Sequence, residues 1–419
     1  MGAPLYGRRR GLRKRMTLSR IGRISQALVV SVAVGLSMSA CGGGTIGFMW
    51  VLGTQYNQIV GFKIDDYTGN LTQTVGSPYS SGGSNPVSIA LRTGGTYAYV
   101  VNKGTGKGDG NVAVFVVGDD GTLTFEESYS TAGNTPVWAA TDGTGNYLYV
   151  LDQVAPDGSG NGDITVFSID GNTGRLQLVP NQGIKNPNGT QLTYFEVGPN
   201  PTMMRYGASC LYTLDSGNQT IFPYGIGSGG QLTIEVNSQI PTNTVNMTSI
   251  YVSGSNFYVT DAAPTSTSPG GRITPYTTGT ACSLSVQADG PVANLPLTSN
   301  PVYSITDSKN KYLYVLNHST TNTNTATTNS SISAFTIDPS TGRLQALSDT
   351  QNPYSVGNGP VCMVEDPSNQ YVYTSNNIDG TVTGKIINQN TGQLSSLARG
   401  STFPATGLAT CLAVSGNVD

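Results

Sequence analysis

The sequence predicts an all-β fold: a seven-bladed β-propeller with four antiparallel strands per blade, in which the C-terminal strand joins the N-terminal blade and closes the ring. Three observations lead to this prediction. Two short motifs recur seven times at intervals of about fifty residues, four short β segments fall within each interval, and no helical period follows residue 40. A repeat of this length with four strands is typical of a propeller blade.

The first motif is a turn of the Thr-Gly-x-Leu type, which indicates a tight connection between the third and fourth strands of a unit. The last unit but one reads Thr341-Gly342-Arg343-Leu344, and a degenerate copy ends at Leu284. The leucines that end the seven copies are Leu71, Leu123, Leu176, Leu232, Leu284, Leu344 and Leu394.

The second motif is a buried-looking strand of the Tyr-Val-x-Asn/Asp type, which comes about twenty to thirty residues before each leucine. Its aromatic residues are Trp50, Tyr99, Tyr149, Tyr212, Tyr258, Tyr314 and Tyr373. A strand that usually opens with Pro precedes it, and an alternating strand such as 332–338 follows it. Pro223 and Pro275 fall within two of these third strands, where an N–H of the ladder is lost, so we expect blades 4 and 5 to be bulged or shortened.

The two ends of the repeat region complement each other. The first unit begins at Ile46 and lacks a first strand, whereas residues 407–414 resemble a first strand with nothing after it. Together they make one complete blade, which leaves no open sheet edge in the ring. We therefore assign residues 46–419 to a single propeller.

Residues 1–40 are predicted to be a lipoprotein signal peptide. They carry eight Lys/Arg and no Asp/Glu, and an apolar stretch of about fourteen residues runs from Ala27 to Ala40, too short to span a bilayer. Small residues directly before Cys41 resemble a bacterial lipobox, in which the cysteine is lipidated and becomes the new N-terminus. Residues 41–45 then form a short lipidated linker, and translation begins at Met1 or Met16.

This leader places the protein in the bacterial cell envelope, lipid-anchored and either periplasmic or surface-exposed. Gly42 follows the lipidated cysteine where inner-membrane retention signals have Asp, which favours the outer membrane. The membrane, reached through Cys41, is the first expected partner. A signal peptide with an incidental cysteine is the alternative.

The charge of the mature chain excludes a nucleic-acid partner. Without its leader the chain has 13 Lys/Arg against 24 Asp/Glu, a net charge of −11, so no basic footprint remains. We expect a monomer without a cofactor, whose ligand or partner is a small lactone, a carbohydrate or an envelope protein.

Four cysteines remain in the mature chain, and an even number in an exported protein suggests disulfide bonds with three alternative pairings. Cys362 and Cys411 fall on first strands of adjacent blades in the predicted ring. This placement favours a Cys362–Cys411 bond and, by elimination, Cys210–Cys282.

The repeated segments resemble the lactonase family of seven-bladed propellers, which includes the 6-phosphogluconolactonases, and are similar to YVTN-repeat surface propellers. The resemblance covers nearly all of residues 46–417. It implies His, Arg and Glu residues at the mouth of the channel, several of them in a Pro-His step that opens a first strand. In this chain that step is Pro-Val or Pro-Thr in five blades, and the lone histidine, His318, begins a Thr/Asn-rich loop.

Long loops between second and third strands and between blades gather on one face, where we expect a functional site. Lactone hydrolysis there needs a base to activate water and a cation for the developing oxyanion. Glu196 is the candidate base, Arg205 the candidate cation and His318 a substitute base.

One loop resembles the front of a calcium site, with candidate ligands Asp157, Ser159, Asn161 and Asp163. Its twelfth position is Ser168 where a calcium loop has Glu, so the bidentate ligand is missing and no metal is assigned. Two functions follow from the sequence: an envelope lipoprotein that binds a ligand or partner, and, as the alternative, a lactone hydrolase that acts at the channel mouth.

Overall fold

The structure, a computed structural model, describes residues 1–2, 44–207, 209–234, 240–264, 270–295, 299–319 and 330–416. The predicted signal peptide, Cys41 and most of the linker lie outside the described residues, as does the low-complexity segment 320–329. Among the helices in the described part of the chain, none has the length and apolar character needed to cross a membrane.

The described residues of the propeller form 36 strands and two short 3₁₀ helices. In chain order the strands are β1 (Thr45–Gly53), β2 (Gln58–Asp65), β3 (Leu71–Gln73), β4 (Tyr79–Ser80), β5 (Pro86–Leu91), β6 (Tyr97–Asn102), β7 (Asn111–Val117), β8 (Leu123–Tyr129), β9 (Asn134–Thr141), β10 (Tyr147–Val154), β11 (Asp163–Ile169), β12 (Leu176–Leu178), β13 (Asn181–Lys185), β14 (Gln191–Leu192), β15 (Phe195–Glu196), β16 (Pro201–Gly207), β17 (Cys210–Asp215) and β18 (Thr220–Ile226). The second half contains β19 (Leu232–Ile234), β20 (Ile240–Pro241), β21 (Met247–Ser253), β22 (Asn256–Asp261), β23 (Arg272–Thr278), β24 (Leu284–Val286), β25 (Val292–Ala293), β26 (Ser299–Thr306), β27 (Tyr312–Ser319), β28 (Ser331–Ile337), β29 (Leu344–Ala346), β30 (Tyr354–Ser355), β31 (Pro360–Glu365), β32 (Tyr371–Asn376), β33 (Thr381–Ile387), β34 (Leu394–Ser396), β35 (Thr402–Pro404) and β36 (Ala409–Gly416). The 3₁₀ helices are Ser228–Gly230 and Thr280–Cys282.

These strands form seven four-stranded antiparallel blades, which confirms the predicted fold. The blades are β36-β1-β2-β3, β5-β6-β7-β8, β9-β10-β11-β12, β16-β17-β18-β19, β21-β22-β23-β24, β26-β27-β28-β29 and β31-β32-β33-β34, numbered 1 to 7 from here on and written from the inner strand outward. In six of them a short fifth strand also pairs with the third strand. The C-terminal strand β36 pairs with β1 and closes the ring, as predicted.

In three pairs of neighbouring blades the two sequence motifs contact each other, whereas three of the corresponding tyrosine hydroxyls are buried with no hydrogen-bond partner in the described residues. In blade 2 the hydroxyl of Tyr99 donates to the carbonyl of Gly174 in the Thr-Gly turn of blade 3, at 3.3 Å. Blade 6 repeats this bond from Tyr314 to Gly392 at 3.0 Å, and blade 7 repeats it from Tyr373 to the first blade. Each motif therefore supplies one half of a contact that fixes adjacent blades to each other.

Replacing Gly174 with Ala is expected to weaken this contact. The residue has a φ of +69°, and a Cβ would lie 2.3 Å from Cδ1 of Tyr97. Gly158 has a similar φ of +73° but nothing within 4 Å of its Cβ position, so Gly158→Ala is the matched control. The left-handed conformation alone costs about 1–2 kcal/mol, and overpacking adds roughly 1–3 kcal/mol. Urea denaturation should show Gly174→Ala as the less stable variant, and equal midpoints would contradict the packing argument.

The two prolines in third strands do not disturb their blades, so the expectation of bulged or shortened blades was wrong. β18 and β23 have seven residues each and pair in regular register with β17 and β22. Pro223 lies between the segments of β18 that pair with β20 and with β19. Pro275 has the same position in β23. The prolines are tolerated because the outer side of the strand changes partners there.

Candidate functional site

The inner strands of six blades share a β-bulge at the end where the long loops gather. In blade 3, for example, Pro136 pairs with Asp152 and Trp138 with Leu151, which leaves Val137 unpaired. The bulged residues are Val87, Val137, Thr202, Thr248, Val302 and Val361. All are at least partly exposed, whereas the residue before each of them is buried.

A bulge re-aims the side chain of its extra residue, which is why bulges are frequent next to active sites. In five blades the bulged residue is also the second residue of the Pro-Val or Pro-Thr step, where the family resemblance implies His. In this chain the position holds only Val and Thr, and neither side chain can accept a proton near neutral pH as an imidazole does.

A cavity of about 440 Å³ lies deeper in the central channel and is lined by residues of all seven inner strands. Its polar centre is Arg205, the fifth residue of β16, which lies closer to the short-turn end of the strand than to the long-loop end. Arg205 therefore lies deeper in the channel than the mouth, where the loop pattern predicts a site.

Three aromatic rings surround the guanidinium of Arg205. Its Cζ is 5.0 Å from the ring centroid of Trp138, 5.4 Å from that of Tyr251 and 4.9 Å from that of Tyr303. Each such contact contributes about 0.5–2 kcal/mol, and more as the pair loses water. We call these four side chains the aromatic–arginine cluster.

Hydrogen bonding holds one edge of the guanidinium and leaves another edge free. Nε of Arg205 donates to the carbonyl of Ile250 at 3.2 Å, whereas Nη2 is buried and has no hydrogen-bond partner in the described residues. Neither ion pair within the described residues involves Arg205. A buried donor on an uncompensated charge is costly, and an acceptor oxygen from a ligand would relieve that cost.

The same cavity offers no general base. Its lining contains no His, Asp or Glu from the described part of the chain. Burial raises the pKa of Tyr251, with Arg205 acting in the opposite direction, and the charge of Glu365, the residue after Val364 of the lining, also acts on Tyr251. The cavity can therefore hold an oxygen ligand against a cation, but its own lining cannot activate water.

The three candidate catalytic residues share none of the cavities that the described residues form. Arg205 lines the channel, whereas Glu196 lies at the surface in β15, accepts a hydrogen bond from Asn161 at 2.9 Å and lines a separate groove between blades 3 and 4. His318 is the seventh residue of β27, opposite Asn300, and lines none of the described cavities.

The loop with the calcium-like pattern uses its polar groups internally. Asp157 accepts from the backbone N–H of Ser159 at 2.9 Å, and the hydroxyl of Ser159 accepts from the N–H of Asn161 at 3.2 Å. Asp163 is fully buried below the loop. No group of three His, Cys, Asp or Glu side chains within the described ranges could hold a metal ion.

The structure joins Cys210 to Cys282 and Cys362 to Cys411, with Cα–Cα distances of 5.8 and 5.1 Å. The first bond links blades 4 and 5. The second links the inner strands of blades 7 and 1 next to the ring closure. These are the pairings that strand placement favours.

Sequence reasoning selected Arg205 but missed the aromatic residues around it. A signal was present, because Trp138 and Tyr303 stand two residues after the Pro of their inner strands, at the first paired position beyond the bulge. Reading the same position across all blades would have revealed two large rings on inner strands, but not Arg205, which stands four residues after Pro201.

Fold and cavity together define the class of protein: a seven-bladed propeller with an arginine set among aromatic rings in its channel. The family model described as "Lactonase, 7-bladed beta-propeller" matches residues 45–194 and 185–408. The chain therefore belongs to the lactonase family of seven-bladed β-propellers.

Solved structures of similar fold are distant in sequence. A candidate 6-phosphogluconolactonase from Bacteroides fragilis is 17% identical with a TM-score of 0.68, and the match covers 88% of this chain and 98% of that one. The periplasmic gluconolactonase of Pseudomonas aeruginosa is 15% identical with a TM-score of 0.65, covering 89% and 99%. A Lactobacillus plantarum protein is 17% identical with a TM-score of 0.68, covering 88% and 99%. No curated protein matches the chain.

Proposed function

We propose that this protein is an exported, lipid-anchored member of the lactonase family that binds a small oxygen-rich ligand in its channel, such as a sugar acid or its lactone. The observation that carries the proposal is the unpaired Nη2 of Arg205, buried in a cavity of about 440 Å³. A carboxylate or carbonyl oxygen would complete the hydrogen bonding of Arg205, and an apolar sugar face would pack on the rings of Trp138 and Tyr303.

Replacing Arg205 with Met is expected to weaken binding about 10- to 100-fold, since a hydrogen bond to a charged group contributes roughly 1.5–3 kcal/mol. D-gluconate and D-glucono-δ-lactone are suitable probes. Trp138 reports binding directly, because the only other tryptophan, Trp50, is fully buried. The measurement is a fluorescence titration of purified protein.

Arg175→Gln is the matched control for this titration, because Arg175 is exposed in a turn of blade 3 and its loss should leave binding unchanged. Arg205→Lys keeps the charge but loses the planar, forked donor, and we expect it to restore only part of the affinity. Equal affinities for wild type and Arg205→Met would refute the channel as the binding site.

Lactone hydrolysis is the second candidate function, supported by family membership and by a free donor that could stabilise an oxyanion. The missing base argues against it. A pH-stat assay over a panel of lactones decides between the two functions, and we expect no turnover above the uncatalysed rate. Turnover that both Glu196→Gln and Arg205→Ala abolish would establish hydrolysis instead.

The anchoring part of the proposal rests on the leader sequence. Cys41→Ala is expected to abolish incorporation of a labelled fatty acid and to release the protein from the membrane fraction, because the thiol is the site of lipid attachment. Density-gradient separation of the wild-type membranes then tests the preference for the outer membrane. A wild-type protein that takes up no label would leave an ordinary signal peptide as the explanation of the leader.

A further inference from the structure

A second cavity, of about 530 Å³, lies outside the channel in the groove between blades 3 and 4. On the blade 3 side its lining comes from the β13–β14 hairpin and from residues 195–199 around β15. On the blade 4 side it comes from β18 and β19. Its volume is within the range of small-molecule sites, which is about 300–1,000 Å³.

An insertion builds one wall of this groove. β13 and β14 form a separate two-stranded sheet, and no other blade in the described residues has one. Gln231 in blade 4 holds the insertion in place: its Oε1 accepts from the N–H of Gln182 and its Nε2 donates to the carbonyl of Pro180, each at 2.9 Å. The hairpin is thus fastened to the neighbouring blade, and the groove has two fixed walls.

The base of the hairpin is fixed as well. Asn181 is 4% exposed, and its Nδ2 donates to the carbonyl of Tyr194 at 3.1 Å. Its Oδ1 accepts from the backbone N–H groups of Gly183 and Ile184. A buried amide with three hydrogen bonds sets the direction of the chain that follows, so Ile184 is held at the groove by hydrogen bonds.

The walls of the groove are apolar where they meet solvent. Ile184 on the hairpin is 51% exposed and Ile234 on β19 is 47% exposed, and both line the cavity. Phe195 and Phe222 line it as well but are buried. Two half-exposed isoleucines above buried aromatic rings offer an apolar ligand a large area that water would leave.

Among the described residues that line the groove, Glu196 is the only charged one. Its Oε1 accepts from Nδ2 of Asn161, which orients the carboxylate, and it takes part in neither ion pair of the described residues. The charge that complements this site is therefore positive.

We propose that the groove between blades 3 and 4 binds a small amphipathic amine, with its apolar body between Ile184 and Ile234 and its ammonium on Glu196. Charge complementarity selects this class over anions, and the apolar walls select it over free polyols. The site is separate from the channel and does not depend on the function proposed for Arg205.

The test uses 2-phenylethylamine as the probe and 3-phenylpropionate, of similar shape and opposite charge, as its counterpart. Isothermal titration calorimetry on the mature propeller carrying Arg205→Met, which removes the proposed carboxylate site in the channel, should show the amine binding at least tenfold more tightly. Glu196→Gln should weaken amine binding about tenfold and reduce the preference over the anion. Ile234→Ser should weaken both probes, because it removes apolar contact and leaves the charge in place.

Glu126→Gln is the charge-matched control: Glu126 is exposed on β8 of blade 2, far along the chain from the groove, and we expect no change in affinity. Thermal unfolding of each variant verifies the fold. The three residues substituted in this background are exposed, as is Ile184, which contacts the probe, so these substitutions should leave the core intact. Equal affinity for amine and anion, or amine binding that survives both Glu196→Gln and Ile234→Ser, would overturn the proposal. Binding of a neutral saccharide with neither probe bound would overturn it as well.

Discussion

Truncation of the chain after Gly407 is expected to abolish folding of the propeller. The deletion removes β36, which is the inner strand of blade 1 and pairs with β1 along Gly47 to Gly53. It leaves the edge of a strand whose core residues Met49, Trp50 and Val51 are fully buried in the intact protein. An unpaired apolar edge of this kind is a template for aggregation.

The expected measurement is the loss of a cooperative urea transition, accompanied by aggregation in size-exclusion chromatography. A chain that ends at Gly416 keeps all of β36 and is the matched control. The truncation also removes Cys411. The double variant Cys362→Ala/Cys411→Ala therefore distinguishes the effect of losing the disulfide bond from the effect of losing β36. That bond closes a segment with a sequence separation of 49, and losing it should cost about 4 kcal/mol while the propeller still folds. A cooperative transition in the truncated chain would show that the ring does not need its closing strand.

Asp163→Asn is expected to stabilise the protein at neutral and alkaline pH. Asp163 at the start of β11 lies directly opposite Asp152 at the end of β10, and both are fully buried. The hydroxyl of Thr165 reaches both carboxyl groups, at 3.4 and 3.5 Å, and Thr131 donates to Asp152 at 2.8 Å. Oδ1 of Asp163 has no hydrogen-bond partner in the described residues.

In two other blades the side chains at the corresponding positions complement each other, so blade 3 differs from them. In blade 2 they hold Asn102 and Asn111, joined by an amide hydrogen bond at 2.9 Å. In blade 5 they hold Asp261 and Arg272, which form an ion pair at 3.0 Å. Only in blade 3 do two carboxyl groups face each other among these pairs, and no cation offsets them.

Burial raises the pKa of Asp163, with the neighbouring charge of Asp152 adding to the shift, and burial likewise raises the pKa of Asp152. The folded protein therefore holds protons that the unfolded chain releases above its ordinary pKa of 3.8. Below that pH both states are protonated and nothing is lost. As the pH rises from about 4 towards 9, the pair lowers the free energy of unfolding. Asp157 acts in the same direction on the pKa of Asp163.

The free energy of unfolding of Asp163→Asn should therefore equal that of wild type at pH 4 and exceed it by roughly 1–3 kcal/mol at pH 8. Asp215 and Glu365, whose pKa values burial also raises, contribute equally to both proteins. Asn111→Asp in blade 2 is the converse variant and should lose stability as the pH rises. Urea denaturation from pH 4 to pH 9 measures both. A difference between Asp163→Asn and wild type that does not vary with pH would exclude the shared-proton explanation.

The sequence by itself determined the fold of this protein, because the fold is a repetition. Most blades carry the same tyrosine strand and the same glycine turn, and Tyr99 and Gly174 show one reason: the two motifs can contact each other across adjacent blades. Seven copies of one local pattern specify seven similar sheets. The incomplete units at the two ends of the repeat region pair with each other and complete one blade. Strand placement within that ring also favoured the cysteine pairing that the structure contains.

Tertiary structure alone decided which side chains meet at the two cavities. Trp138, Arg205, Tyr251 and Tyr303 come from four different blades and converge only because inner strands surround one axis. The groove at Glu196 likewise depends on how the β13–β14 insertion is fastened to Gln231 in the next blade. Trp138 and Tyr303 occupy the same position of their inner strands, but the repeat alone does not show which side chains they contact, since their partners lie in other blades. The repeated motifs specify the propeller fold. The residues that break the repeat form the two cavities, and they come together only when the ring closes.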